Sequence, residues 1–302
     1  MVETLDIRLV NDWAIQEFGE SIGQPMFNGP KDKAAWERLE PDARERLRPF
    51  TRQVIIRTDD PFFPELRARI LRAATKGTYV AGSISVSRSY SPEELEQADL
   101  IQLIIHACFK QGGEDSGTLY DDVKACPRCG LGREQRSPLR LNLSKRPKNA
   151  DIARTLVMNE CVVSERFVRL VGEQLGDVFF DRVEHVGRGE ALRDWYQLKL
   201  TENAGKTCPP TRFGGDYILD QVNENYTCRE HSLLGFNLLT EVWLSKSPSG
   251  DADLMVTEDR FGVWGGGVMP IAILVISNRL FRVLRHGQIL GCTYEPIHVK
   301  GH

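Results

Sequence analysis

Two short cysteine knuckles, set a fixed distance apart, constrain this chain more than any other feature of its sequence. Cys126-Pro127-Arg128-Cys129-Gly130 has the two-residue gap that lets a tight turn aim two thiolates at one tetrahedral centre. Pro127 fixes φ in that turn, and Gly130 relieves the backbone where it must pass close to a metal. Downstream stands a second pair, Cys228-Arg229-Glu230-His231. One shift of 102 residues carries Cys129 onto His231 and Cys126 onto Cys228. The same shift carries Asp151-Ile-Ala-Arg-Thr155 onto Asp253-Leu-Met-Val-Thr257. Further on, Val162-Val-Ser164-Glu-Arg166-Phe167 is matched by Val275-Ile-Ser277-Asn-Arg279-Leu280-Phe281 at a longer shift. The second copy therefore carries extra residues, which include the run Val263-Trp-Gly-Gly-Gly-Val-Met-Pro270. The pattern predicts an internal duplication in which each copy donates two ligands to one structural zinc per chain: Cys126, Cys129, Cys228 and His231. Cys208 is the alternative ligand, but it precedes Pro209 and Pro210 and has no counterpart in the repeat. A lone CxxC also suits a redox dithiol; a CxxH in register with it favours the metal. Four protein ligands leave no coordination place for a catalytic water, so the metal argues for architecture.

Composition narrows the class. With 302 residues, 41% apolar and 27% charged, the chain has the make-up of a soluble protein able to bury one large core or two smaller ones. Its net charge of −3 gives no cationic surface for nucleic acid or anionic lipid. The first ten residues lack the pattern of a signal peptide, and no apolar run reaches membrane-spanning length. Seven cysteines, three of them proposed metal ligands, fit a reducing cytoplasm better than a disulfide scaffold.

The expected fold is α+β, with internally duplicated α/β units joined by the zinc site and preceded by a mixed α/β region. That region is placed at 1–110 and the duplicated region at 111–302, with units at about 121–185 and 223–300. Strands are expected at Asp6–Val10, Gln53–Arg57 and Thr78–Tyr90; helices at Lys31–Leu47, split at Pro41, and at Pro64–Ala74. Ser91-Pro92-Glu93-Glu94 is a capping box, and the apolar residues from Leu95 to Cys108 recur at helical spacing, which predicts a long buried helix. Leu139–Leu143 and Asp194–Leu200 read as strands. Each unit then gives a strand, a helix capped by Ser164 or Ser277, a glycine stop at Gly176 or Gly287, and a closing strand at Val178–Val183 or Thr293–Ile297. Neither serine lies in a Gly-x-Ser-x-Gly elbow, and capping accounts for both. His185 and His298 end the two closing strands. Gly265-Gly266-Gly267 is followed by Pro270 and no lysine, so it is no phosphate loop.

These residues resemble the double-CXXCG proteins of bacteria. The likeness rests on Cys126-Pro-Arg-Cys-Gly130, its downstream partner, and Ser164-Glu-Arg-Phe167 leading to Val178-Phe-Phe180. It covers about residues 115–185 and does not reach residues 1–90; the second knuckle departs from it as Cys228-x-x-His231 followed by Ser232. The resemblance implies an immunity protein that neutralises a contact-delivered or polymorphic toxin, its cognate partner, which in many such systems is a nuclease. No catalytic arrangement is recognisable, which agrees with a non-enzymatic protein. The expected contact surface is acidic: Glu114, Asp115, Asp251, Glu258 and Asp259. The alternative is a zinc-ribbon protein acting on nucleic acid in a defence system. It needs a basic face, and Lys145–Lys148 lacks the interleaved aromatics of a stacking platform.

Overall fold

The computed structural model of the chain describes residues 1–26, 33–46, 49–175, 180–186, 191–200, 202–215, 217–219, 227–248, 252–262 and 269–301. It divides into two units, Met1–Tyr90 with Gly215–Gln221, and Ser91–Gly214 with Val222–His302. The boundary thus falls at Tyr90 and not at residue 110, and a later segment returns to the first unit.

The first unit runs β1 (Val2–Val10), α1 (Asn11–Phe18), β2 (Gln24–Met26), α2 (Lys33–Glu37), α3 (Pro41–Arg46), β3 (Thr51–Arg57), α4 (Phe63–Thr75) and β4 (Ala81–Ser89). Pro41 opens the second of two short helices, as its fixed φ predicts. The strands form one sheet in the order β2-β3-β1-β4. Alternation along β1 turns Leu5, Ile7 and Leu9 inward, with Ile7 paired to Val54 on one side and Ile84 on the other. Phe63, Leu66 and Ile70 of α4 complete this core, and Tyr217 and Ile218 join it from far along the sequence.

The second unit runs α5 (Pro92–Gln97), β5 (Leu100–Ile105), β6 (Cys108–Phe109), β7 (Tyr120–Asp121), β8 (Glu134–Gln135), β9 (Arg140–Leu141), β10 (Ile152–Thr155), β11 (Cys161–Ser164), α6 (Glu165–Leu175), β12 (Phe180–His185), β13 (Ala191–Leu198) and β14 (Asn203–Gly205). It continues with β15 (Phe213–Gly214), β16 (Asn237–Leu238), β17 (Val242–Leu244), β18 (Leu254–Phe261), β19 (Ile271–Ser277), α7 (Asn278–His286) and β20 (Cys292–Val299). The expected long helix from Ser91 to Cys108 is overturned. The capping box forms, with Glu94 N donating to Ser91 Oγ at 3.2 Å and Ser91 N to Glu94 Oε2 at 2.7 Å. The helix then ends at Gln97, and Leu100–Ile105 becomes a strand. A strand buried on both faces reads as a continuous apolar run, which periodicity does not separate from a helix.

Two six-stranded sheets dominate this unit, ordered β6-β10-β11-β13-β12-β9 and β14-β18-β19-β5-β20-β17. At every step the two have the same direction: parallel, three antiparallel pairings, then parallel. The central strand of each sheet comes from the other end of the pattern. β13 lies between β11 and β12, where β5, from before the first knuckle, lies between β19 and β20. Registers agree: Val162 faces Gln197 as Val275 faces Gln102, and Ser164 faces Trp195 as Ser277 faces Leu100. After its strand in the exchanged sheet, the chain leads from β5 to β6 and from β13 to β14, so each lead strand sits in the opposite sheet.

One core serves both sheets. Ile152 and Val163 of one, Leu274 and Ile276 of the other, and Phe167, Leu280, Phe281 and Leu284 of the two helices form a single cluster. Helix α7 spans the residues expected for it. Gly287, however, stays right-handed at φ −70, and Gln288 takes the left-handed turn at φ 48. The glycine allows close approach, because a Cβ there would require the Leu170 side chain of α6 to shift. Gly176 and the run 263–268 lie outside the described residues. Among the described residues no helix is long and apolar enough to cross a membrane.

Candidate metal centre

The two knuckles close in the same way. Cys126 N donates to Leu131 O at 2.7 Å, and Cys228 N donates to Leu233 O at 2.9 Å. The residue after each knuckle is left-handed, Gly130 at φ 70 and Ser232 at φ 49. The second knuckle therefore keeps the backbone of a Cys-Gly turn without the glycine. It is pinned to β18 from both sides of one residue: Arg260 N donates to Ser232 O at 2.8 Å, and Leu234 N donates to Arg260 O at 3.0 Å. The first knuckle is held by its flanks. Arg133, its side chain only 7% exposed, binds Asp122 and reaches Glu114 at 3.1 Å. Tyr120, which that guanidinium overlies, donates to Glu160 on the hairpin between β10 and β11.

These turns bring the ligand atoms of Cys126, Cys129, Cys228 and His231 within 4.8 Å of one another, a group that could hold a metal ion. The imidazole presents Nδ1, 3.4 Å from Cys129 Sγ and 3.6 Å from Cys228 Sγ. Cys129 and Cys228 are buried, and Leu131 and Leu233, equivalent residues after the two knuckles, pack around them. The thiols are not alike. Hydrogen bonds from the backbone of Arg128 and Cys129 lower the pKa of Cys126, whereas burial pushes Cys129 up to about 12. A cation amid these sulfurs would reverse that penalty, since metal binding requires the thiolates. Arg260 lies close by; its burial lowers its pKa, and Cys129 acts in the opposite sense. All seven cysteines are free, and Cys208 is not in the cluster: its backbone N–H donates to Trp243 O at 2.8 Å.

The matched Asp-x-x-x-Thr runs have structural partners. Asp151 accepts from Ser164 Oγ at 2.9 Å and Arg166 Nη1 at 2.8 Å. Asp253 accepts from Ser277 Oγ and from Arg279, whose Nε lies at 3.0 Å. Each serine in turn caps its helix, accepting from Phe167 N at 3.2 Å or Leu280 N at 3.0 Å. The result is one Asp-Ser-Arg frame built twice.

The acidic surface expected from sequence comes apart. Asp259 is 5% exposed and accepts from Thr207 N and Oγ1, because β18 turns it inward. Glu114 is engaged by Arg133, and Glu258 faces Lys206 at 3.6 Å. Asp251 lies outside the described residues; Asp115 is exposed. His185 and His298 do lie near the ends of equivalent strands, β12 and β20, opposite Leu141 and Trp243 of the edge strands, and His298 stacks on that tryptophan. Sequence reasoning missed Arg133 and Arg260. Arg133 follows the first knuckle by four residues but belongs to no motif, and only the fold brings Arg260 to the second. Comparison with protein-family models, with curated proteins and with solved structures finds no match to this chain.

Proposed function

We propose that this protein is a non-enzymatic, zinc-stapled binding protein of the cytoplasm, of the toxin-immunity type, built by internal duplication. The observation that carries the reading is the ligand set: three sulfurs and one nitrogen, two from each half, with no position left for substrate. Zinc suits this soft, tetrahedral set. With Zn–S of about 2.3 Å and Zn–N of about 2.0–2.1 Å, a tetrahedral centre separates S from N by roughly 3.6 Å. The two contacts to His231 Nδ1 are 3.4 and 3.6 Å. Matched sheet order, register and capping frames support the duplication.

As an immunity-type protein it binds a cognate toxin by surface contact. The loop leading into the first knuckle suits that role: it exposes Leu119 (63%) and Val123 (90%) beside Asp115 and is tied down near the metal. Elemental analysis of the purified chain is expected to return about one zinc per chain, the count of one four-ligand site, and a Cys228→Ala variant to lose it. Affinity capture from the native host, read by mass spectrometry, is expected to recover a toxin whose binding weakens when Leu119 and Val123 are both changed to Asp. Tight, salt-sensitive binding of DNA or RNA by the pure protein would replace this reading with a nucleic-acid one.

A further inference from the structure

Where the two sheets meet beside the metal centre, the second unit forms a half-open cavity of about 250 Å³. Its wall carries three cations, Arg154, Lys199 and Arg260, and a single acid, Glu160. That acid is occupied, because Tyr120 and the Thr155 hydroxyl both donate to its carboxylate. Lys199 turns to Asp181 at 3.5 Å, where both side chains are partly exposed. Arg154 makes a long 3.5 Å contact with the carbonyl of Asn159. Among the described residues no carboxylate pairs with Arg154 or Arg260. Both residues are half-buried, and a guanidinium partly withdrawn from water gains from an anionic partner.

The fold itself does not call for a charge there. Arg154 faces Cys161 across its hairpin, and the equivalent pair in the other sheet is Val256 with Leu274. All four residues line the cavity, and at this pair one half places an arginine and a cysteine where the other has valine and leucine. We propose that this cavity binds a small organic oxyanion, a carboxylate or phosphate held between Arg154 and Arg260. The guanidinium fork matches the oxygens of either group. The volume lies just below the roughly 300–1,000 Å³ of sites for drug-sized ligands, and suits a short organic acid or a small phosphoester. Leu198, Val256 and Leu274 receive its apolar body.

The test is calorimetric titration of the metal-loaded full chain with inorganic phosphate and, separately, with 4-methylpentanoate, at fixed ionic strength. Saturable binding of either probe supports the site, and the tighter one identifies the headgroup. Arg154→Val installs the residue of the other half and keeps the strand; Arg260→Met removes the second fork, with metal content measured alongside. Each change is expected to weaken binding at least about tenfold, the loss of one charge-assisted hydrogen bond. No saturable binding of either probe, or binding unchanged in Arg154→Val, overturns the proposal.

Discussion

Ser232 holds a left-handed turn at φ 49 that its partner position fills with Gly130. For an L-residue that conformation costs about 1–2 kcal/mol, while glycine gives back roughly 0.5–1 kcal/mol through its freer unfolded chain. Ser232→Gly is therefore expected to raise stability by about 0.5 kcal/mol, and Gly130→Ala to lower it by about 1 kcal/mol, in denaturant titrations at constant metal content. A second residue-scale prediction concerns Tyr217, whose hydroxyl donates to Glu3 at 2.5 Å. Burial, then the bond to Glu3 and its charge, push this phenol up to about 12 from an ordinary value near 10. The folded state thus favours the protonated phenol, so its contribution is fully present below pH 10 and is lost as pH rises through 12. The difference absorbance at 295 nm between the native chain and Tyr217→Phe is expected to show ionisation near pH 12, shifted downward by Glu3→Gln. A step near pH 10 in the native chain would refute it.

Among elements, the capping frame explains why Asp151 and Asp253 recur in the sequence. Each carboxylate joins the strand that precedes its hairpin turn to a helix-capping serine and an arginine, with side chains 11% and 7% exposed. Loss of hydrogen bonds to a charged acceptor costs about 1.5–3 kcal/mol, reduced here because both arginines face solvent. Asp151→Asn and Asp253→Asn are each expected to cost about 1.5 kcal/mol in chemical denaturation, with any metal content unchanged. Loss of metal in either variant would move the frame's role to the knuckles. These elements were legible because local chemistry fixes them: a serine cap, a β-branched run, a knuckle spacing. The strand β5 was not, since its apolar residues fit either period. The strand exchange was hidden for a related reason: Asp99-Leu-Ile-Gln102-Leu103 and Asp194-Trp-Tyr-Gln197-Leu198 match only in a short stretch. Likewise, the acids expected on one surface were read without their partners: Arg133 engages Glu114, Lys206 faces Glu258, and Thr207 donates to Asp259.

In the second unit as a whole, three ties join the two sheets: the exchanged strands, the shared core between α6 and α7, and the knuckles. Their magnitudes rank them. Burying one Val, Leu, Ile or Phe side chain contributes about 1.5–3 kcal/mol, so the shared core is expected to outweigh what a bound metal would add to an already folded chain. Small zinc fingers unfold without metal because they have no such core. Chelation is therefore expected to leave the far-UV circular dichroism nearly unchanged while lowering the thermal midpoint. The knuckles should open locally, since their own cluster contains little besides the ligands, Leu131 and Leu233. Cys126, Cys129 and Cys228 should then react rapidly with a thiol reagent, while Cys161, 4% exposed within the shared core, stays protected. Thiol counting before and after chelator, under native conditions, measures both outcomes together. Simultaneous exposure of Cys161 would make the metal the principal tie, and unchanged reactivity of the three knuckle thiols would show that no metal had held them.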